Sequence, residues 1–259
     1  MSTPSDSILR VRGLGKVYPN GFRALDGIDL DIERGEFLVV IGLSGAGKST
    51  FIRCLNRLIE PTEGRIEFDG EDVTRVKGEA LRDLRRRMAL IFQHFNLVKR
   101  ASVLTNALTG ALNRQPTIPS LVGSWRKADR EEAEANLALV GLEDRMHYRA
   151  DALSGGQQQR VGIARALMQH PQVLLADEPV ASLDPQTSHA VMETLKHLQT
   201  ERGLTIVANL HFLSLAREYG TRVIALKAGR QIFEGPAQDI TNERFIEIYG
   251  DEAREVELR

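Results

Sequence analysis

Two kinds of apolar patterning run through this 259-residue chain. In Ile28-Asp-Leu-Asp-Ile32 apolar and acidic positions alternate, and Ile66-Glu-Phe68 repeats the pattern after a turn-forming segment at 61–64. A period of two buries one face and wets the other, so both segments read as strands of an antiparallel sheet. By contrast, Phe37-Leu-Val-Val-Ile41, Val173-Leu-Leu-Ala176, Thr205-Ile-Val-Ala208 and Val223-Ile-Ala-Leu226 are unbroken apolar runs of strand length. Such runs suit strands covered on both faces, as in the parallel sheet of an α/β core. Between Gln93 and Ser154 the period lengthens. Ala133, Leu137 and Val140 recur at helical spacing, Gly141 stands where the helix should stop, and Asp129 with Glu132 has capping-box spacing at its start. Residues 114–123, with Pro116, Pro119 and Gly123, read as a loop within this helical stretch. Phe51, Ile52, Leu55, Leu58 and Ile59 predict one further helix.

Composition narrows the class without naming a chemistry. A hydrophobic share of 42% with 27% charged residues is that of a globular protein, and a net charge of −1 offers no basic field for nucleic acid. The opening Met1-Ser-Thr-Pro-Ser-Asp has neither the basic nor the apolar region of a secretory leader, so none is expected. No stretch approaches 18 consecutive apolar residues, so any membrane path must come from other chains. Cys54, the single cysteine, falls on the apolar face of its predicted helix and reads as a small core side chain. Arg82, Arg85, Arg86 and Arg87 read as a solvated helix face. After Gly235-Pro236 only a short amphipathic tail remains.

Three segments carry candidate chemistry. Gly42-Leu-Ser-Gly-Ala-Gly47-Lys48-Ser49 satisfies the spacing G-x-x-x-x-G-K-[ST] and lies between a buried strand and a helical run, the context that spacing requires. Gly45 and Gly47 let backbone wrap a polyphosphate without a Cβ in the way. Lys48 is placed to neutralise its β and γ oxygens, and the Ser49 hydroxyl to ligate Mg2+. A ligand-free strand-to-helix turn is the plainer alternative, and the Lys-Ser pair argues against it. The run Val173-Leu-Leu-Ala-Asp177-Glu178 ends in two carboxylates that strand alternation turns to different sides. Asp177 can then hold Mg2+ through water while Glu178 orients and deprotonates an attacking water, a role worth about 10²–10⁴ in rate. Alone, such a pair is usually a solvated strand end; the phosphate loop reverses that reading. Leu153-Ser154-Gly155-Gly156-Gln157-Gln158-Gln159-Arg160 is a second glycine-rich turn opening a helix, with its own N–H donors for anions. One chain has little use for two cradles around one triphosphate, whereas two facing chains can each close the other's site.

These residues resemble the ATP-binding subunits of ABC transporters, and the resemblance runs from residue 8 to residue 235. It implies an α/β fold of the P-loop NTPase type. A RecA-like core would carry an N-terminal antiparallel β subdomain and a helical subdomain inserted at about residues 94–165, with 236–259 as a short tail. It implies that Gly42, Leu43, Ser44, Gly45, Ala46, Gly47, Lys48, Ser49 and Thr50 bind ATP and that Tyr18 stacks on adenine, with ordinary strand-end packing as the lesser alternative for a single aromatic. Gln93, after Met88-Ala-Leu-Ile-Phe92, would touch Mg2+ or water and sense the membrane partner. Ser154, Gly155, Gly156 and Gln157 would meet the γ-phosphate of the opposite subunit, and Ser182-Leu-Asp184 would link the two sites. His211 would contact the γ-phosphate. The implied catalytic set is therefore Lys48, Gln93, Glu178 and His211, and the implied metal set is Ser49, Gln93 and Asp177. One departure stands out: where many members read Thr-His-Asp, this chain has Asn209-Leu210-His211-Phe212.

Phe92-Gln-His-Phe-Asn-Leu-Val, Ser102-Val-Leu-Thr-Asn, Asn56-Arg-Leu-Ile-Glu-Pro-Thr, Ala176-Asp-Glu-Pro-Val-Ala-Ser-Leu-Asp-Pro185 and Leu215-Ala-Arg-Glu-Tyr219 are similar to the ATPases of phosphonate importers. That branch implies a homodimer, two transmembrane permease subunits and a periplasmic or lipid-anchored solute-binding protein. It places the chain peripherally on the cytoplasmic face of the bacterial inner membrane. None of these residues would touch cargo, so phosphite, phosphate or polar amino acid import stays open. Rival classes are an ABC ATPase of translation or DNA repair, a nucleotide sensor that no longer hydrolyses, and a small-molecule kinase. The first generally needs two cassettes or a long coiled coil, the second sits badly with Lys48, Asp177, Glu178 and His211 together, and the third has no use for the second glycine-rich turn.

Overall fold

The computed structural model describes residues 6–114 and 123–250; the loop expected around Pro116 and Pro119 lies outside them. Among the described residues the strands form two sheets. Alternating sequence makes the smaller one: β1 (Ser7–Val17), β2 (Arg23–Glu33), β4 (Glu63–Phe68) and β5 (Glu71–Asp72), antiparallel in the order β2-β1-β4-β5. On β2 the side chains of Ile28, Leu30 and Ile32 are buried, and Asp29 and Asp31 face away. The unbroken apolar runs make the larger sheet. Its members are β3 (Phe37–Ile41), β6 (Met88–Ile91), β7 (Val173–Asp177), β8 (Thr205–Asn209), β9 (Arg222–Lys227) and β10 (Arg230–Pro236), in the order β10-β9-β3-β8-β7-β6. All pairs are parallel except β10 with β9.

Both faces of that sheet are dry, which is why the runs lack polar positions. Phe37, Val39 and Ile41 point into one core, Leu38 and Val40 into the other. The first core is filled by α3 (Val103–Leu108), α4 (Lys127–Leu139), α5 (Gly155–Leu167), α6 (Pro185–Arg202) and α7 (Leu213–Tyr219), joined by the end of α8 (Asn242–Tyr249). The second core packs α1 (Lys48–Leu55) and Leu84 of α2 (Gly78–Arg87) against the antiparallel sheet. Cys54 sits there fully buried, and burial pushes its thiol up to about 12.

Three local expectations need correcting. The helix predicted to run to Ile59 stops at Leu55: Arg57 adopts φ 59°, its guanidinium is buried on Glu60 and the Val73 carbonyl, and Leu58 is left 45% exposed. Asp129 and Glu132 do not cap α4, which begins two residues before Asp129 with Arg126 at its N-cap. Arg114 recruits both carboxylates instead, at 2.8 and 2.5 Å. The arginine cluster is only partly a solvated face. Arg85 donates to the Arg57 carbonyl at 2.6 Å, and Arg87 bonds Gln172 and lies over the Phe68 ring.

Candidate active site

In an open α/β sheet the polar chain emerging from the carboxyl ends of parallel strands is where ligands bind. Here β3, β8, β7 and β6 are successive neighbours, so the segments that leave them form a row along one edge. That row is residues 42–49, then Asn209 to His211, then Asp177 with Glu178, then Gln93.

Loop 42–49 needs its glycines for space as well as for conformation. Gly42 has φ 145°, and a Cβ there would lie 2.2 Å from the Leu226 carbonyl oxygen; Gly47 has φ 104°, and its Cβ would lie 2.5 Å from that of Ala24. Lys48 is 4% exposed at the first turn of α1, and its Nζ donates to the carbonyls of Gly42 at 2.7 Å and Leu43 at 3.0 Å. Burial lowers the Lys48 pKa, an effect opposed by the charges of Glu178 and Asp177. The Gly42 N–H donates to the Tyr249 hydroxyl at 3.1 Å, so the last residue of α8 braces the loop's first residue. Tyr18 stands over the loop's far end, with its hydroxyl 3.3 Å from that of Thr50 and its ring stacked on Phe22.

Asp177 is 1% exposed and receives donors on both oxygens. Arg53 holds Oδ2 at 2.7 and 2.6 Å, and the Asn209 side chain donates to Oδ1 at 2.8 Å. The same Asn209 nitrogen is 3.3 Å from Ser49 Oγ. Glu178 leaves the strand with φ 53°, and its N–H donates to Asn209 Oδ1. Its carboxylate lies 2.9 Å from His211 Nε2. The His211 hydrogen bond, above all, holds the Glu178 carboxyl below its usual range; desolvation opposes this, and the charges of His211, Lys48 and Arg53 add to it. The row thus brings an ammonium, two carboxylates and an imidazole to the end of the sheet where the glycine-rich loop 42–49 leaves β3. A hydroxyl and a carboxylate meeting on one amide are hard oxygen donors of the kind Mg2+ takes, so the residues fit that ion.

The Asn209 amide joins Ser49, Asp177 and the Glu178 backbone, His211 contacts Glu178 directly, and Lys48 lies close enough to feel both carboxylate charges. Gln93 is half-buried at the row's end, in a loop where Phe95 and Asn96 have φ 58° and 49° and Arg165 holds their carbonyls at 2.7 and 2.6 Å. Ser154, Gly155, Gly156 and Gln157 form a separate cluster at the start of α5. Ser154 and Gln157 make a capping box at 3.0 and 3.4 Å, and a Cβ on Gly156 would lie 1.9 Å from Thr187 Cγ2. Exposed Asp184 caps α6 through the Thr187 N–H at 3.0 Å. Three residues of the row escaped sequence reasoning: Arg53, Asn209 and Tyr249. Arg53 stands one helical turn after Ser49 and could have been read from that spacing. Asn209 had the signal of a polar side chain ending an apolar run. Tyr249 had none, being 207 positions from its partner.

Comparison with known proteins gives a consistent result. A model of the ABC transporter family matches residues 25–181. The chain is similar to the phosphonates import ATP-binding protein PhnC of Bdellovibrio bacteriovorus, with 56% identity over 253 residues covering 97% of each chain. It is 52% identical to the protein of the same name in Shouchella clausii, over 97% of this chain and 94% of that one. Among solved structures it is similar to a dimeric ATP-binding cassette in a post-hydrolysis state bound to ADP and Pi, at 33% identity and TM-score 0.76, covering 90% of this chain and all of that one. It is also similar to cbiO1 of Clostridium perfringens, part of a cbiONQ transporter complex, at 32% identity and TM-score 0.81, over 98% and 96% of the two chains.

Proposed function

The chain belongs to the ABC transporter family, and we propose that it is the ATP-hydrolysing subunit of a phosphonate importer. Its reaction is ATP hydrolysis coupled to solute import, and cassettes of this family work as dimers with membrane permease subunits. The cargo reading rests on relatives named for phosphonate import that are 56% and 52% identical over nearly the whole chain. The observation that carries the enzymatic reading is the row at the sheet edge, where Lys48, the adjacent Asp177 and Glu178, and His211 come from three segments far apart in sequence.

The geometry supports a division of labour. Loop 42–49 wraps the phosphates, and Lys48 exchanges the carbonyls of Gly42 and Leu43 for β and γ oxygens, recovering the solvation that burial took from it. Tyr18 offers its ring to adenine. Glu178, ionised and held by His211, takes the proton of a water aimed at the γ-phosphorus. Ser49, Asp177 and Gln93 would hold Mg2+, which when bound supplies charge neutralisation at the β and γ oxygens. The helix start at Ser154 has N–H donors to offer, and a second copy facing the first presents Ser154, Gly155, Gly156, Gln157 and Asp184 to the phosphate from the other side. Among the described residues no helix is long and apolar enough to cross a membrane, so cargo passes through permease subunits. A solute-binding protein delivers it, and this chain sits peripherally on the cytoplasmic face of the membrane.

Uptake of a labelled phosphonate by cells whose only copy carries Lys48→Ala tests this function. Uptake should vanish. Normal uptake would refute the coupling, and loss of phosphate or amino acid uptake with phosphonate uptake intact would move the cargo elsewhere.

A further inference from the structure

Asn209 ends β8, a strand otherwise filled by apolar side chains and Thr205, and it is fully buried. It is the register partner of Asp177 on the neighbouring parallel strand. Its amide is used at both ends. Oδ1 accepts the Glu178 N–H, while Nδ2 faces Asp177 Oδ1 at 2.8 Å and Ser49 Oγ at 3.3 Å. The partners dictate that orientation. A backbone N–H can only donate, so it must meet the amide oxygen, and a carboxylate already paired with Arg53 offers acceptors, so it must meet the NH2 group.

We propose that Asn209 is a positioning residue that fixes Ser49, Asp177 and the Glu178 backbone relative to one another before nucleotide and metal arrive. The inference deepens, and rests on, the reading of this site as one that hydrolyses ATP with Mg2+. Ser49 lies in the first turn of α1 and Asp177 closes β7, and the amide is the group that spans the gap between their oxygens. Arg53 holds Asp177 Oδ2, so the carboxylate is gripped from both sides and Oδ1 is the atom aligned with the Ser49 hydroxyl. Glu178 turns away from strand geometry at φ 53°, which takes its N–H off the sheet ladder; Asn209 Oδ1 supplies the lost acceptor and so sets where the Glu178 side chain starts. An apolar residue at this position, such as valine, fits the strand but takes the partner from the half-buried Ser49 hydroxyl and Glu178 N–H and from the fully buried Asp177 Oδ1. The two oxygen ligands then relax independently.

The test uses the full-length protein with Asn209→Val. Titration calorimetry follows ADP binding in EDTA and ATP binding at increasing Mg2+, and an ATPase assay gives the Mg2+ concentration for half-maximal rate. The Mg2+ requirement should rise about tenfold or more, the range seen when groups behind metal ligands are removed, while metal-free ADP affinity stays within about twofold. An unchanged Mg2+ requirement would overturn the proposal. So would an equal loss of metal-free ADP affinity, because that marks general damage to the loop. If the valine variant does not fold, Asn209→Thr serves: its hydroxyl can accept the Glu178 N–H but offers one donor where the amide offers two. Its Mg2+ requirement should also rise, and a wild-type value there overturns the proposal equally. Glu178→Gln, assayed alongside, separates the two layers. Normal turnover in that variant removes the underlying reading of the site, whereas a dead Glu178→Gln with an unaltered Asn209→Val removes only the role given to Asn209.

Discussion

Replacing Tyr249 by Phe deletes one oxygen from the C-terminal helix and should be felt at the phosphate loop. Tyr249 is 2% exposed, its ring belongs to the core, and its hydroxyl accepts the buried Gly42 N–H at 3.1 Å. Burial pushes the phenol up to about 12, so the group is neutral throughout the working range and the contact is an uncharged hydrogen bond. Phenylalanine keeps the packing and leaves a buried donor without its partner, which costs about 1–3 kcal/mol. For a chain of this size about 2–4 °C of melting temperature goes with each kcal/mol, so the midpoint should fall by about 2–12 °C. Differential scanning calorimetry of the nucleotide-free protein measures it. Tyr148→Phe, at a ring that is 47% exposed, is the control and should change stability by less than about 0.5 kcal/mol. Because Gly42 opens the nucleotide loop, ATP affinity should weaken in the Tyr249 variant and not in the control. A Tyr249→Phe protein that melts within about a degree of wild type and binds ATP equally would refute the brace.

Other consequences follow from single side chains. Cys54, buried with its thiol raised to about 12, should resist a thiol reagent at pH 8 until the protein unfolds; fast labelling of native protein would contradict the packing around it. Gly47→Ala must place a Cβ 2.5 Å from the Ala24 carbonyl oxygen at φ 104°, so it should cost about 1–3 kcal/mol in backbone strain alone and abolish nucleotide binding in a fluorescence titration. Glu178 has its pKa depressed in the folded state, chiefly by His211, so its contribution to stability exists above the ordinary carboxylate value of 4.5 and is lost as pH falls through the lowered value. The melting difference between wild type and His211→Ala should therefore shrink below about pH 4.5, and a difference constant down to pH 3 would contradict the pairing.

What could be read in the sequence depended on how local its cause was. Phe37-Leu-Val-Val-Ile41 and its companions announced a doubly covered sheet because burial on both faces leaves no polar position, and that pattern survives without knowledge of strand order. The phosphate loop and the carboxylates at 177 and 178 were visible because their chemistry requires contiguous residue types. Failures came where a distant partner overrode a local preference. Arg57 ended α1 early by burying its guanidinium on Glu60 and Val73, and Arg114 took the carboxylates that spacing had assigned to a helix cap. Asn209 looked like a departure from family pattern, and only the register of β8 against β7 shows what its amide touches.

In the proposed assembly two copies sandwich ATP, the phosphate loop of one facing the Ser154 turn of the other. Sedimentation of Glu178→Gln with and without ATP tests it most directly. ATP should convert the variant from monomer to a stable dimer that does not turn over, and adding Ser154→Arg should return it to monomer with nucleotide still bound. A Glu178→Gln protein that stays monomeric at saturating ATP, or hydrolyses it at the wild-type rate, contradicts the claim.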